Sequence, residues 1–206
     1  MAKHIMIDIE TLSTQSDAAI ISIGACSFHL DGTGGDCGDE TFLISIERDW
    51  YDSVMPNVFD VDPLTVAWWD KQDAAAKAAL SIDLVDTLPL ALDVLKDWFS
   101  DIGFVYSTSP FNSTDHKVWA NPTSFDLVIL RHGAKFAYGS AKAVPWHFRQ
   151  EMCGRTHSAM YRNIREAVYR SGIAQVPGMI RHRADHDAVA QARMVQEIEK
   201  LREHRG

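Results

Sequence analysis

The segment HIMIDIETL, residues 4–12, drives an apolar run into two carboxylates, Asp8 and Glu10, spaced one residue apart. Ile5, Met6, Ile7 and Ile9 belong inside a sheet, where an unpaired charge is costly to bury. Alternate residues of a strand share a face, so Asp8 and Glu10 project together while Ile7 and Ile9 project the other way. Two like charges on one face repel and tend to hold a proton between them. A divalent cation removes that conflict, and hard oxygen ligands suit Mg or Mn. A D-x-E pair alone also fits a solvated strand end, so other segments must decide between the readings.

The chain has 206 residues, 46% hydrophobic and 23% charged, which fits one domain over residues 1–206 with a sizeable core. No apolar run approaches the roughly 18 residues of a membrane helix, so no membrane partner is expected. MAKHIMIDIE enters a strand after a single Lys and does not read as a signal peptide. Cys26, Cys37 and Cys153 form no C-x-x-C pair, which suggests reduced thiols in a cytoplasmic protein. The histidines are scattered, without the paired Cys/His spacing of structural zinc. A net charge of −8 argues against broad wrapping of a duplex. A compact site with bound cations can still take a phosphodiester, because the ions bring positive charge locally. Arg149, Arg155, Arg162, Arg165 and Arg170 share one segment, with Arg181 and Arg183 nearby. They read either as solvated helix faces or as a short phosphate track.

Residues 4–10, 18–30 and 40–46 read as three strands of an antiparallel meander, with the turn-forming DGTGGDCGD between the last two. Asp62 and Pro63 suit the N-cap and first position of a helix carrying AWWDKQ. Residues 88–102 show helical apolar spacing, 117–120 form a short strand, and Ser124 could cap a helix with Asp126 in its first turn. A helix is expected over 159–172, ending at Gly172. The last helix, 184–205, carries the apolar stripe Ala188, Ala192, Val195, Ile198 and Leu201. Strands first and then helices around a short strand predict a mixed three-layer α/β fold.

The ordered set D-x-E (Asp8, Glu10), F-D (Asp126) and H-x4-D (His182, Asp187) resembles the histidine-containing branch of the DEDD, or DnaQ-like, 3′–5′ exonucleases. MIDIETLST, DPLTVAWWDKQ, WANPTSFD and HRADHDA are similar to the phage exonuclease A group and the mycobacterial-type 3′–5′ exoribonuclease group. The resemblance implies an RNase H-like fold and hydrolysis of phosphodiester bonds from the 3′ end. It implies two divalent ions, Mg or Mn, bridged by Asp8, with Glu10 and Asp187 completing one site and Asp126 serving the other through water. The chemistry agrees, since two such ions about 3.5–4 Å apart can activate water and stabilise a leaving 3′-oxygen. Histidine, with an unperturbed pKa of about 6.5, suits the general base. His182 takes that role by family spacing, although His186 competes for it and Asp185 competes with Asp187.

The same resemblance places Thr11 and Leu12 against the terminal nucleotide and Ser22 nearby. Trp68 and Trp69 cannot both face the core from one helix. Either both are half-buried anchors of this helix, or one stacks on a base; Trp69 is assigned that role, with Gln72 within reach of either. Asn121 orients substrate or holds its turn, and Arg155, in the Gly154–Arg155–Thr156 element, meets a phosphate. The expected partner is a single-stranded 3′ end, with DNA set slightly ahead of RNA and nucleoside 5′-monophosphates as products. A homodimer fits the resemblance. The competing readings are RNA trimming of the oligoribonuclease kind and a non-catalytic nucleic-acid-binding module on the same fold.

Overall fold

A computed structural model describes residues 3–30, 37, 40–54, 58–108, 116–172 and 174–203. Most of the DGTGGDCGD turn and residues 204–205 of the expected final helix therefore lie outside the described residues. Strands β1 (His4–Thr11), β2 (Ile20–Phe28) and β3 (Thr41–Ile46) form the expected antiparallel meander. β4 (Leu84–Val85) pairs in parallel with β3, β5 (Lys117–Ala120) with β1, and β6 (Glu151–Cys153) with β5. The result is one mixed six-stranded sheet in the order β4-β3-β2-β1-β5-β6.

All nine residues of β2 are buried. A strand can be buried along its whole length only when both faces of the sheet are covered. Short helices α1 (Arg48–Ser53), α2 (Pro63–Asp70) and α3 (Ala74–Ala79) precede α4 (Leu88–Asp101), and α5 (Asp126–Tyr138) follows β5. α4 and α5 cover the face that presents Ile5, Ile7 and Ile9, and Leu88, Leu92, Leu127 and Leu130 join that core. Helix α8 (Ala184–Glu203) covers the other face, where Met6, Cys26 and Trp119 pack with Ala188, Val189, Ala192 and Val195. Each large aliphatic side chain so buried contributes about 1.5–3 kcal/mol. This is the three-layer α/β arrangement expected from the sequence, and among the described residues no helix is long and apolar enough to cross a membrane.

Asp62 caps α2 through a bond from the Leu64 N–H, with Pro63 at the first position. Two local expectations are corrected. Ser124 does not cap α5, because the Pro122 carbonyl in the preceding turn accepts from the Phe125 and Asp126 N–H groups. The single helix expected over 159–172 is two helices, α6 (Gly154–Met160) and α7 (Arg162–Ser171), broken at the non-helical Tyr161. The break lets both pieces lie against α8. Gly172 ends α7 in the left-handed conformation a C-terminal glycine allows.

Candidate active site

β1 pairs with β5 only from His4 to Met6, opposite Lys117 to Trp119. Beyond Trp119 the chain soon turns away through Asn121 and the cis Asn121–Pro122 peptide. Past Met6 the end of β1 has no β5 residue opposite it, and α5 begins in that gap. Asp126, its first residue, is only 3% exposed, and its carboxylate accepts a 3.2 Å bond from the Ile9 N–H. The third layer arrives from the other side. Asp8 lies opposite Gly24 in the β1–β2 register. The start of α8 rests directly on that glycine, where an added Cβ would overlap the backbone of Ala184 and Asp185. Glycine is required here because two backbones touch. One turn into α8, Asp187 therefore stands over the carboxylates of β1.

Asp8, Glu10, Asp126, His182 and Asp187 line one open cleft of about 350 Å³, together with Ile9, Asn121, Pro122, Phe125, Arg155 and Gln191. Glu10, His182 and Asp187 each present a ligand atom, and these atoms lie within 4.8 Å of one another. His182 is tied to its neighbour, since its backbone N–H donates to Asp187 Oδ2 at 2.8 Å. The competitors point elsewhere. Asp185 is buried in a fork with Arg183 at 2.8 and 2.9 Å. His186 Nδ1 accepts from the Ile180 N–H at 2.9 Å.

Crowding of acids raises their proton affinity. Burial, and then the carboxylates of Asp126, Glu10 and Asp187, hold the Asp8 carboxyl well above its usual range, against a lowering bond from Gln191. Burial with Asp187 and Asp126 lifts Glu10 to about 8. Burial lifts Asp126 to about 7, although N–H groups of Ile9, Asp126 and Asn121 work against it. Burial also raises Asp187, opposed by its bond from His182. Four acids that resist ionising together, with an imidazole beside them, form a donor set suited to divalent cations, which would relieve the repulsion.

The expected substrate contacts divide. Asn121 and Arg155 line the cleft, and Arg155 Nη2 donates to the Asn121 carbonyl at 3.4 Å. The side chains of Thr11, Leu12 and Ser22 are buried and turn inward. Thr11 Oγ1 donates to the Ser13 carbonyl at 2.6 Å, and Ser22 Oγ to the Ile44 carbonyl at 3.2 Å. Trp69 is corrected as a stacking surface. It is 1% exposed, with its indole N–H on the Thr11 carbonyl, whereas Trp68 is 42% exposed. Helical geometry turns one tryptophan inward, and Thr11 offers the acceptor that selects Trp69 for burial. Gln72 bonds the Trp68 carbonyl. Sequence reasoning missed Gln191, whose Nε2 donates to Asp8 Oδ1 at 2.7 Å. Its position four residues after Asp187, on the same helix face, was the available signal.

Comparison with solved structures places this architecture. The nuclease domain of 3′hExo, described as a DEDDh family member and bound to rAMP, superposes with a TM-score of 0.58 at 10% identity, over 98% of this chain and 92% of that one. E. coli exonuclease I in complex with a dA16 oligonucleotide gives 0.61 at 12% identity, over 100% of this chain and 42% of that one. Cell-death related nuclease 4 (CRN-4) gives 0.55 at 12% identity, over 98% of this chain and 64% of that one. The chain thus spans less than two thirds of the last two relatives, and the likeness establishes a DnaQ-like exonuclease fold. No curated protein sequence matches significantly. A family model described as the 3′–5′ exoribonuclease Rv2179c-like domain matches residues 3–199, and the chain belongs to that family.

Proposed function

We propose that this protein removes nucleotides one at a time from the 3′ end of single-stranded nucleic acid and releases nucleoside 5′-monophosphates. The observation that carries this reading is the convergence of Asp8, Glu10, Asp126, Asp187 and His182 on one cleft. Those four carboxylates would hold two divalent ions, Mg or Mn, which when bound supply the charge that activates water and stabilises the leaving 3′-oxygen. His182 takes the proton from the attacking water. As the water oxygen bonds to phosphorus, the phosphorus–3′-oxygen bond breaks and the leaving 3′-oxygen takes up a proton from solvent, giving a 3′-hydroxyl on the shortened strand and a 5′-phosphate on the departing nucleotide. Arg155, exposed at the cleft, pairs with a phosphate, and Asn121 orients the terminal residue.

RNA is the first substrate to test, because the matching family model is described as an exoribonuclease domain. DNA, the slight preference of the sequence reading, is supported by the oligonucleotide dA16 bound to a protein of this fold. Only contacts to a 2′-hydroxyl separate the two.

The deciding experiment uses 5′-labelled single strands of RNA and DNA of one sequence, incubated in Mg, in Mn and in EDTA. A ladder shortening by single nucleotides from the 3′ end, absent in EDTA and in Asp8→Ala, is expected. His182→Ala should lower the rate by about 10²–10⁴-fold while metal binding, read by calorimetry, persists. Full activity in that variant would remove His182 from its role. No cleavage of either strand in any metal would favour a binding module.

A further inference from the structure

Every acid of the cleft stands on a strand or near the start of a helix, whereas His182 comes from an irregular segment between α7 and α8. Its backbone sits at φ +61°, a left-handed conformation that costs a non-glycine residue free energy. The 2.8 Å bond from its N–H to Asp187 holds the main chain and does not itself orient the imidazole. The ring is restrained from another quarter. The Trp68 indole meets it edge to face, with centroids 4.8 Å apart and planes at 81°. Trp69 stands 6.2 Å from the same ring at 79° and 5.2 Å from Trp68. Trp69 is in turn anchored by its 2.9 Å bond to the Thr11 carbonyl, one residue past Glu10. A continuous line of rings thus runs from the end of β1 to the imidazole.

We propose that Trp68 is a positioning residue for His182, holding the imidazole in the orientation needed to take a proton from water. The inference rests on the reading of His182 as general base. The partly exposed indole is then explained by what its packed edge does, and α2 becomes part of the catalytic apparatus without touching the reacting atoms. Small displacements of a catalytic group cost large factors in rate, so the effect belongs in turnover and not in substrate binding.

The test compares wild type, Trp68→Ala, Trp68→Leu and Trp68→Phe by steady-state kinetics on a 5′-labelled single strand. Expected is a fall in kcat of about 10- to 10²-fold in the Ala and Leu variants. KM should stay within about twofold, with most of kcat recovered in Trp68→Phe, because the effect belongs to turnover. In a His182→Ala background, Trp68→Ala should cost nothing further, because residues acting through one group are not additive. NMR relaxation of the His182 ring in metal-free protein should show greater mobility in Trp68→Ala than in wild type. Trp68→Leu keeps much of the apolar bulk, so it carries the comparison if the Ala variant does not fold. A raised KM with unchanged kcat would overturn the proposal and assign Trp68 to the substrate base. Additive losses with His182→Ala, or an imidazole equally ordered in wild type and variant, would overturn it as well. An inactive wild type would defeat the proposed function itself, while the ring-mobility measurement would still report on the packing.

Discussion

On one face of β1, Ile5, Ile7 and Ile9 pack into the larger core beneath α4 and α5. On the other, Met6 joins the core under α8, and then Asp8 and Glu10 open into a cleft with two more carboxylates. Eight residues of one strand therefore serve opposed ends. The first face gains free energy from every atom removed from water. The second gathers groups whose charges repel in a partly desolvated place, and so carries an electrostatic cost in the absence of cations. A protein can keep such a face only because the other one stabilises the fold, and the exchange of stability for activity at one strand is the pattern of a working site.

The comparison breaks most sharply at Asp8. Asp8→Asn removes a buried carboxyl that resists ionising among three others, so at pH 8 and above the metal-free variant should melt at a higher temperature than wild type, while activity falls by about 10³-fold or more. A lower melting temperature would mean the cluster is not repulsive. On the opposite face, Ile7→Ala should cost about 2–5 kcal/mol in denaturant unfolding. Its turnover per folded molecule should be unchanged at low temperature. A selective loss of turnover would show that the two faces are not independent. Gly24→Ala tests the seam between them, since the new Cβ meets the backbone at the start of α8. It should cost about 1–3 kcal/mol and reduce activity together, by lifting Asp187 away from β1. Unchanged metal binding and activity would show that this contact does not set the site.

The smallest effect is a slope with pH. In EDTA, Glu10 keeps its proton to about 8 and Asp126 to about 7, whereas their ordinary values are 4.5 and 3.8. The unfolded chain then holds fewer protons than the folded one between about 4 and 8. Folding stability should decline as pH rises through that window. Saturating Mg should flatten the decline, because bound cations favour the charged carboxylates. Melting curves at pH 5, 6, 7, 8 and 9, with and without Mg, measure both slopes, and identical slopes would argue against cation binding at these acids.

Much of this was legible in the chain. Alternation fixes which β1 residues share a face, so Asp8 and Glu10 were readable as a pair set against Ile7 and Ile9. The capping chemistry of Asp62 and Pro63, the β1–β2–β3 meander and the apolar stripe of α8 follow from local rules. The ordered motifs pointed to the family in which residues 3–199 are found. What local rules could not supply was the competition for partners across the fold. Trp68 and Trp69 are equivalent in sequence, and the Thr11 carbonyl decides which is buried. Thr11 and Ser22 were expected at the substrate, but their hydroxyls found backbone acceptors inside the protein. The break at Tyr161 and the contact at Gly24 both depend on where α8 lies, which only packing decides. Residue types and spacing set the chemistry that this chain can perform. The meeting of β1, α5 and α8 determined where it is performed, because long-range contacts select among side chains that the sequence leaves equal.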